Sequence, residues 1–356
     1  MSSLSIEFDE LHKRHRRATG RRALLLLVLV LLCVVMFIAY LSIGSGTLSM
    51  GQVIDGLLHP WQVPVSTRVI LWQLRMPVAC TAVLAGAGLA VAGSLMQLAL
   101  NNPLAEPFTL GLSSAAGFGA ATVLVFGVSI VDLGAVSLGV ATSISAFFWS
   151  MLVVVLIGLV GRYRRMRVEV IALIGIAIHF TFSSLLAFTQ FTADADQLQS
   201  LVFWLLGSLQ RTSWMQVGID GVLLAIIMPL LLSRAWLLTS MASFGELATA
   251  IGVHVARTRF IILLAAALLA GSITATVGIV GFVGLVAPHI ARLLVGEDQR
   301  FCLCTSAACG ALIMLVAGIA SQALIPGAIL PIGMLTALLG VPFFLWLILR
   351  RKNGLA

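Results

Sequence analysis

Two stretches of this chain, Met76 to Ala105 and Phe260 to Ala291, contain no Asp, Glu, Lys or Arg at all. Apolar runs of this length can cross a hydrocarbon core about 30 Å thick, which takes roughly 20 helical residues. Within lipid every backbone N–H and C=O must find its partner inside the structure, so such runs fold as helices. The chain therefore reads as an all-α polytopic membrane protein. With 60% hydrophobic and only 10% charged residues, it has too few polar side chains to clothe a soluble domain. The net charge of +8 does not point to nucleic acid, because the basic residues form short clusters beside apolar runs.

Ten spans are expected, near residues 22–43, 76–99, 111–128, 133–160, 168–191, 214–236, 259–278, 281–295, 304–324 and 332–349. The segment 197–209 is apolar but too short to cross, and is read, with other short pieces, as a helix on the outer surface. An even count puts both termini on one side. With that side cytoplasmic, 18 of the 21 Lys and Arg residues are inside and only Arg68, Arg75 and Arg211 are outside. The basic start resembles a secretory signal, but the first run is long and no small-residue cleavage site follows, so a retained helix is expected. Residues 1–20 read as a mobile, polar cytoplasmic tail and 21–356 as one transmembrane domain.

The spans lack the buried charges that a proton relay, sodium cage or voltage sensor requires. Asp220, in the outer half of the sixth span, is the exception: it either faces a water-filled cavity or, the favoured reading, pairs with a polar neighbour. Small residues at Gly86, Gly88, Gly93, Gly278 and Gly284 suit close helix packing. Gly281 and Pro288 additionally mark a break into two short helices near a pathway. Cys33, Cys80, Cys302, Cys304 and Cys309 have no metal-ligand spacing and read as packing residues. His59, His179, His254 and His289 are scattered, so no catalytic constellation is visible. No metal or cofactor is expected.

Residues 241–259 interrupt the greasy pattern on the inner side. Leu247, Ala248 and Ile251 recur at helical spacing and are expected to form one apolar face, with Glu246 beside it for an ion pair. Gly245 and Gly252 bracket the piece and permit sharp turns. On residues alone this is either a partner-binding helix or an interfacial helix lying on lipid. Arg68, Arg75 and Arg211, on the side where positive charge is disfavoured, suit either an acidic docking partner or snorkelling to lipid phosphate.

Several strings together resemble one family. Leu74-Arg-Met-Pro77, Leu84 to Gly93 leading to Gln97, Asn102-Pro-Leu-Ala-Glu-Pro107, Leu110-Gly111, Phe203-Trp-Leu-Leu-Gly-Ser208, Gly281 to Arg292 and Leu330-Pro-Ile-Gly333 are similar to the FecCD-type permeases for iron-siderophores, haem and cobalamin. The resemblance implies the transmembrane subunit of an ATP-binding-cassette importer in the bacterial cytoplasmic membrane. It implies ten helices, a second permease subunit, related or identical, two ATP-binding subunits and an external or periplasmic substrate-binding protein. It makes 241–256 the segment that engages the ATPase, and Gln97, Asn102, Pro103, Gly281 and Pro288 candidates for the pathway or its gate. No Gly-x-x-x-x-Gly-Lys-Ser/Thr loop occurs, so ATP would be bound by the partner subunit and this chain would not be an enzyme. Val78, Gln322 and Ile329 depart from the family's charged pattern, so relatives' outer docking contacts do not transfer whole. An iron(III)-siderophore is the expected cargo, with haem or cobalamin as alternatives and an ion-coupled secondary transporter as the rival mechanism.

Overall fold

The computed structural model describes residues 2–44, 48–131, 134, 136–163, 167–325 and 327–351, with side chains of 2–17, 162–163, 346–348, 350 and 351 left aside. The start of the fourth expected span, at residue 133, and the inner basic residues Arg164, Arg165 and Lys352 fall outside them. Among the described residues there is no strand. The α-helices are α1 (Ser2–Ser42), α2 (Met50–Leu58), α3 (Val65–Val69), α4 (Met76–Ala99), α5 (Leu112–Leu124), α6 (Leu138–Tyr163) and α7 (Val168–Thr192). They continue with α8 (Ala195–Leu205), α9 (Trp214–Ser233), α10 (Ala235–Phe244), α11 (Val255–Val277), α12 (Val283–Val295), α13 (Gln299–Ala323) and α14 (Ile332–Arg351).

Ten of these coincide in order with the ten expected segments. Seven described helices are long and apolar enough to cross a membrane, while Leu112–Leu124, Val283–Val295 and Ile332–Leu345 are shorter. The shortness of α5 has a visible cause. Gly111, in left-handed geometry at φ 83, seats its backbone against Ile178 and His179 near the midpoint of α7, so α5 begins beside the middle of a spanning helix.

The amino-terminal residues expected as a polar tail are helical. Helix α1 is continuous from Ser2, and residues 2–19 contain no glycine or proline to stop it. Four short helices, α2, α3, α8 and α10, lie outside the ten. Ser49 and Gln52 close a reciprocal capping box at the start of α2, and Asp194 and Gln197 do the same for α8, which fixes where each begins. Helix α8 covers most of the short apolar segment 197–209.

Helix α4 is the centre of the molecule. Its apolar window is 83% buried, against 17% for α7 and α9, so α4 is wrapped by protein and the other two are peripheral. Its glycines permit this. Gly86 meets Gly310 of α13 and Gly93 meets Gly284 of α12 so closely that a methyl group at either α4 position would overlap the facing carbonyl. Asp220 of α9 is buried and accepts a hydrogen bond from Ser272 of α11, the polar pairing expected of it.

Where helices break, the freed backbone groups pair with one another. Ser208 donates its N–H to Val277 O at 2.7 Å, Ile332 to Gly207 O at 3.1 Å and Gly333 to Leu206 O at 3.1 Å. The ends of α8 and α11 and the start of α14 thus satisfy each other without water.

Candidate coupling site and pathway

The polar interruption folds as the end of α10, a 3-10 turn over Gly245–Ile251, and the start of α11. Gly245 at φ 54, ψ −125 and Gly252 at φ 85 hold backbone conformations that side chains disfavour, so the bracketing glycines do form the two corners. Leu247 and Ile251 project outward, 74% and 51% exposed, and Phe244 at the end of α10 joins them. Ala248 corrects the expected common face. It is fully buried beneath the turn, its carbonyl accepting from Val253 N–H, so it supports the exposed apolar patch and does not belong to it.

Glu246 is committed within the chain. Its Oε1 accepts a bond of 2.6 Å from Nη2 of Arg259, and Arg259, buried, also donates its Nε to Ala99 O at 2.8 Å. Glu246 is largely exposed, so screening limits the ion pair to about 1 kcal/mol or less. Its geometric effect is larger: one guanidinium ties the exposed turn to the last residue of α4.

A second polar knot follows from Pro288. Proline has no N–H, which leaves the carbonyl four residues earlier, Gly284 O, without its helical donor. Gln97 of α4 supplies one, Nε2 to Gly284 O at 3.3 Å, and its own Oε1 accepts from Nη2 of Arg292. Gln97 is buried, so this replacement bond is shielded from water. Asn102 and Pro103 lie apart from the knot on the exposed connection after α4, where Asn102 Oδ1 accepts from Leu104 N–H at 3.0 Å. Gly281 sits against the ring of Phe108. The five sequence-selected pathway residues therefore divide into a buried clamp of Gln97 and Pro288, an exposed turn of Asn102 and Pro103, and Gly281 at the α11–α12 break.

The three outer arginines also separate. Arg75 is buried and donates Nη1 to Leu41 O at 2.6 Å, capping the end of α1, so it is not available to an outside partner. Arg68 lies over the Trp61 ring at 5.1 Å, and Arg211 is exposed with Nη2 3.4 Å from Phe203 O. Val78 is buried and Ile329 exposed. Among the described residues no group of three His, Cys, Asp or Glu is placed to hold a metal ion.

A bundle of apolar helices around a glycine-lined central helix, with one exposed turn clipped to that helix, has the build of a multi-pass membrane protein. The chain belongs to the FecCD transport family, whose model matches residues 31–350. It is 34% identical to the iron(III)-citrate import system permease YfmE of Bacillus subtilis, over 94% of this chain and 98% of that one. It is 32% identical to the vitamin B12 import system permease BtuC of Vibrio cholerae, over 83% of this chain and 88% of that one. A solved inward-facing structure of a metal-chelate type ABC transporter superposes with a TM-score of 0.80 at 29% identity, covering 92% of this chain and 99% of that one. The protein is accordingly an ABC-importer permease of the metal-chelate type, a multi-pass component of the inner membrane. Family membership does not favour an ion-coupled secondary transporter.

Proposed function

We propose that the chain is the non-catalytic transmembrane subunit of an importer that carries an iron(III)-siderophore inward by alternating access. Its partners are two ATP-binding subunits at the inner surface, a second permease subunit and an external binding protein. The observation that carries this reading is the apolar patch of Phe244, Leu247 and Ile251 on a turn that Arg259 fastens to α4. A partner that grips this patch pulls on the buried helix against which α9, α11, α12 and α13 all pack. ATP-driven closure of the partners then has a rigid lever into the bundle.

The positive-inside count supports a cytoplasmic position for this turn, with Arg68 and Arg211 on the opposite side toward the binding protein. A cobalamin cargo is the second reading, supported by the similarity to a vitamin B12 permease. The test is uptake by vesicles that contain this chain with its ATPase, second permease and binding protein. ATP-dependent entry of radioiron as a ferric siderophore is the expected result. Entry of labelled cobalamin alone would replace the cargo, and binding of no ATPase to the chain would overturn the assignment.

A further inference from the structure

His179 stands near the midpoint of α7, on a face that the single subunit leaves exposed. Its ring meets that of Phe180 at 5.7 Å, edge to face, and among the described residues it makes no hydrogen bond or ion pair. Alongside it the chain leaves α-helical geometry. Pro107–Leu110 forms a 3-10 turn, Gly111 is left-handed, and Gly111 backs onto the His179 backbone. Phe108, Thr109, Ile176, His179 and Phe180 together line a cavity of about 300 Å³.

Two independent features argue against lipid in this cavity. An ionisable side chain within a spanning helix faces protein or a water-filled space, because hydrocarbon solvates it poorly. Irregular backbone at membrane depth is tolerated only where it is covered or lines such a space, and Thr109 in this turn is exposed. The same hollow thus carries a polar side chain and a non-α-helical turn, neither of which suits lipid.

We propose that this hollow is a mid-membrane contact for the cargo, in which the His179 imidazole N–H donates to an anionic oxygen of a metal chelate. Phe108 and Phe180 receive the apolar body of the same ligand. No acidic side chain lines the hollow to repel such an oxygen, and no second metal ligand lines it to strip the metal. The contact is weak by construction, as a passage site must be if the ligand is to leave. The inference rests on the importer reading above and adds the chemistry of the route.

The experiment uses the complete importer, with radioiron supplied as ferric citrate and as a ferric trihydroxamate, and labelled cyanocobalamin as the third probe. His179→Ala should lower uptake of the transported chelate about tenfold, the equivalent of one hydrogen bond to a charged oxygen. His179→Gln, which keeps an N–H donor, should restore most of it. In the assembled transporter the His179→Cys variant should react with a charged, membrane-impermeant thiol reagent above the wild-type background. Val222→Cys, on the exposed face of α9, should not. Full uptake by His179→Ala, or a His179→Cys variant that assembles with the ATPase but resists the reagent, would overturn the proposal. The latter outcome would assign the face to a protein contact. A wild-type importer that moves none of the three probes sinks the importer reading instead, and the labelling result still decides whether the hollow is wet.

Discussion

Arg259 is the only part of α11 that bonds to both Glu246 and Ala99 among the described residues, at 2.6 Å and 2.8 Å. A side chain that is itself buried therefore holds an exposed turn and the end of the central helix in one grip. Glu246→Arg places two guanidinium groups together and should leave the protein inserted while separating ATP hydrolysis from uptake. Exchanging the charges, with Glu246→Arg and Arg259→Glu together, should recover part of the uptake. Transport and hydrolysis measured in the same proteoliposomes check this, and normal coupling in Glu246→Arg would refute the role of the clip.

The patch above the clip gives a separate expectation. Leu247→Asp or Ile251→Asp removes an exposed apolar contact without touching the core. Affinity for the ATPase should fall tenfold or more, about 1.4 kcal/mol, while thermal unfolding of the isolated subunit stays unchanged. Pull-down with the purified ATPase measures the first and a melting curve the second.

Gln97 and Pro288 should be energetically coupled. Gln97→Ala leaves Gly284 O and Arg292 without their partner and should cost roughly 1–3 kcal/mol. Pro288→Ala returns a helical N–H to Gly284 O, so in that background the Gln97 substitution should cost clearly less. A double-mutant cycle of unfolding in detergent tests the link.

The glycine crossings predict strain. Gly86→Ala or Gly93→Ala forces α4 away from α13 or α12 and should destabilise by about 1–3 kcal/mol. Gly139→Ala, where nothing lies within reach of an added methyl, should be near neutral. Comparable losses at all three positions would contradict the close packing.

Asp298 caps α13, accepts from Arg300 and lies 3.5 Å from Arg22 of α1. Its pairing with Arg300 holds the carboxyl below its usual range. A depressed folded value means the stabilisation is present above the ordinary carboxylate range and is lost as pH falls through the folded value. Asp298→Ala should cost about 1 kcal/mol at neutral pH, and the difference from wild type should shrink in acid. Melting temperatures across that range decide it.

Sequence patterning located the long helices because uncharged runs of spanning length have no soluble alternative. It does not separate the shorter α5, α12 and α14 from the long spans, since a short apolar helix reads like one that crosses. Gly245 and Gly252 were legible as corners because positive φ selects glycine. The inward turn of Ala248 was not, because seven residues in a 3-10 turn are too few for a face to be set by period. The capping role of Arg75 and the bond from Gln97 to Arg292 depend on distant segments and leave no local trace. Proline at 288 did carry a hint, an orphaned carbonyl at Gly284 that some side chain had to satisfy. Phe244 escaped notice because it precedes the glycine that seemed to open the segment.

The meeting of Gly207, Val277 and Ile332 has a bearing on biosynthesis. Polar backbone left bare in lipid costs several kcal/mol per group, and here the groups freed after α8 find their partners on strands of chain made much later. Spans can enter the bilayer one by one, yet the middle of the protein stays unfinished until the ribosome has released the last helix. A chain cut after Ala323 should insert and then be cleared by membrane proteases, and supplying residues 324–356 as a separate fragment should rescue it; survival of the cut chain alone would show that the junction is dispensable.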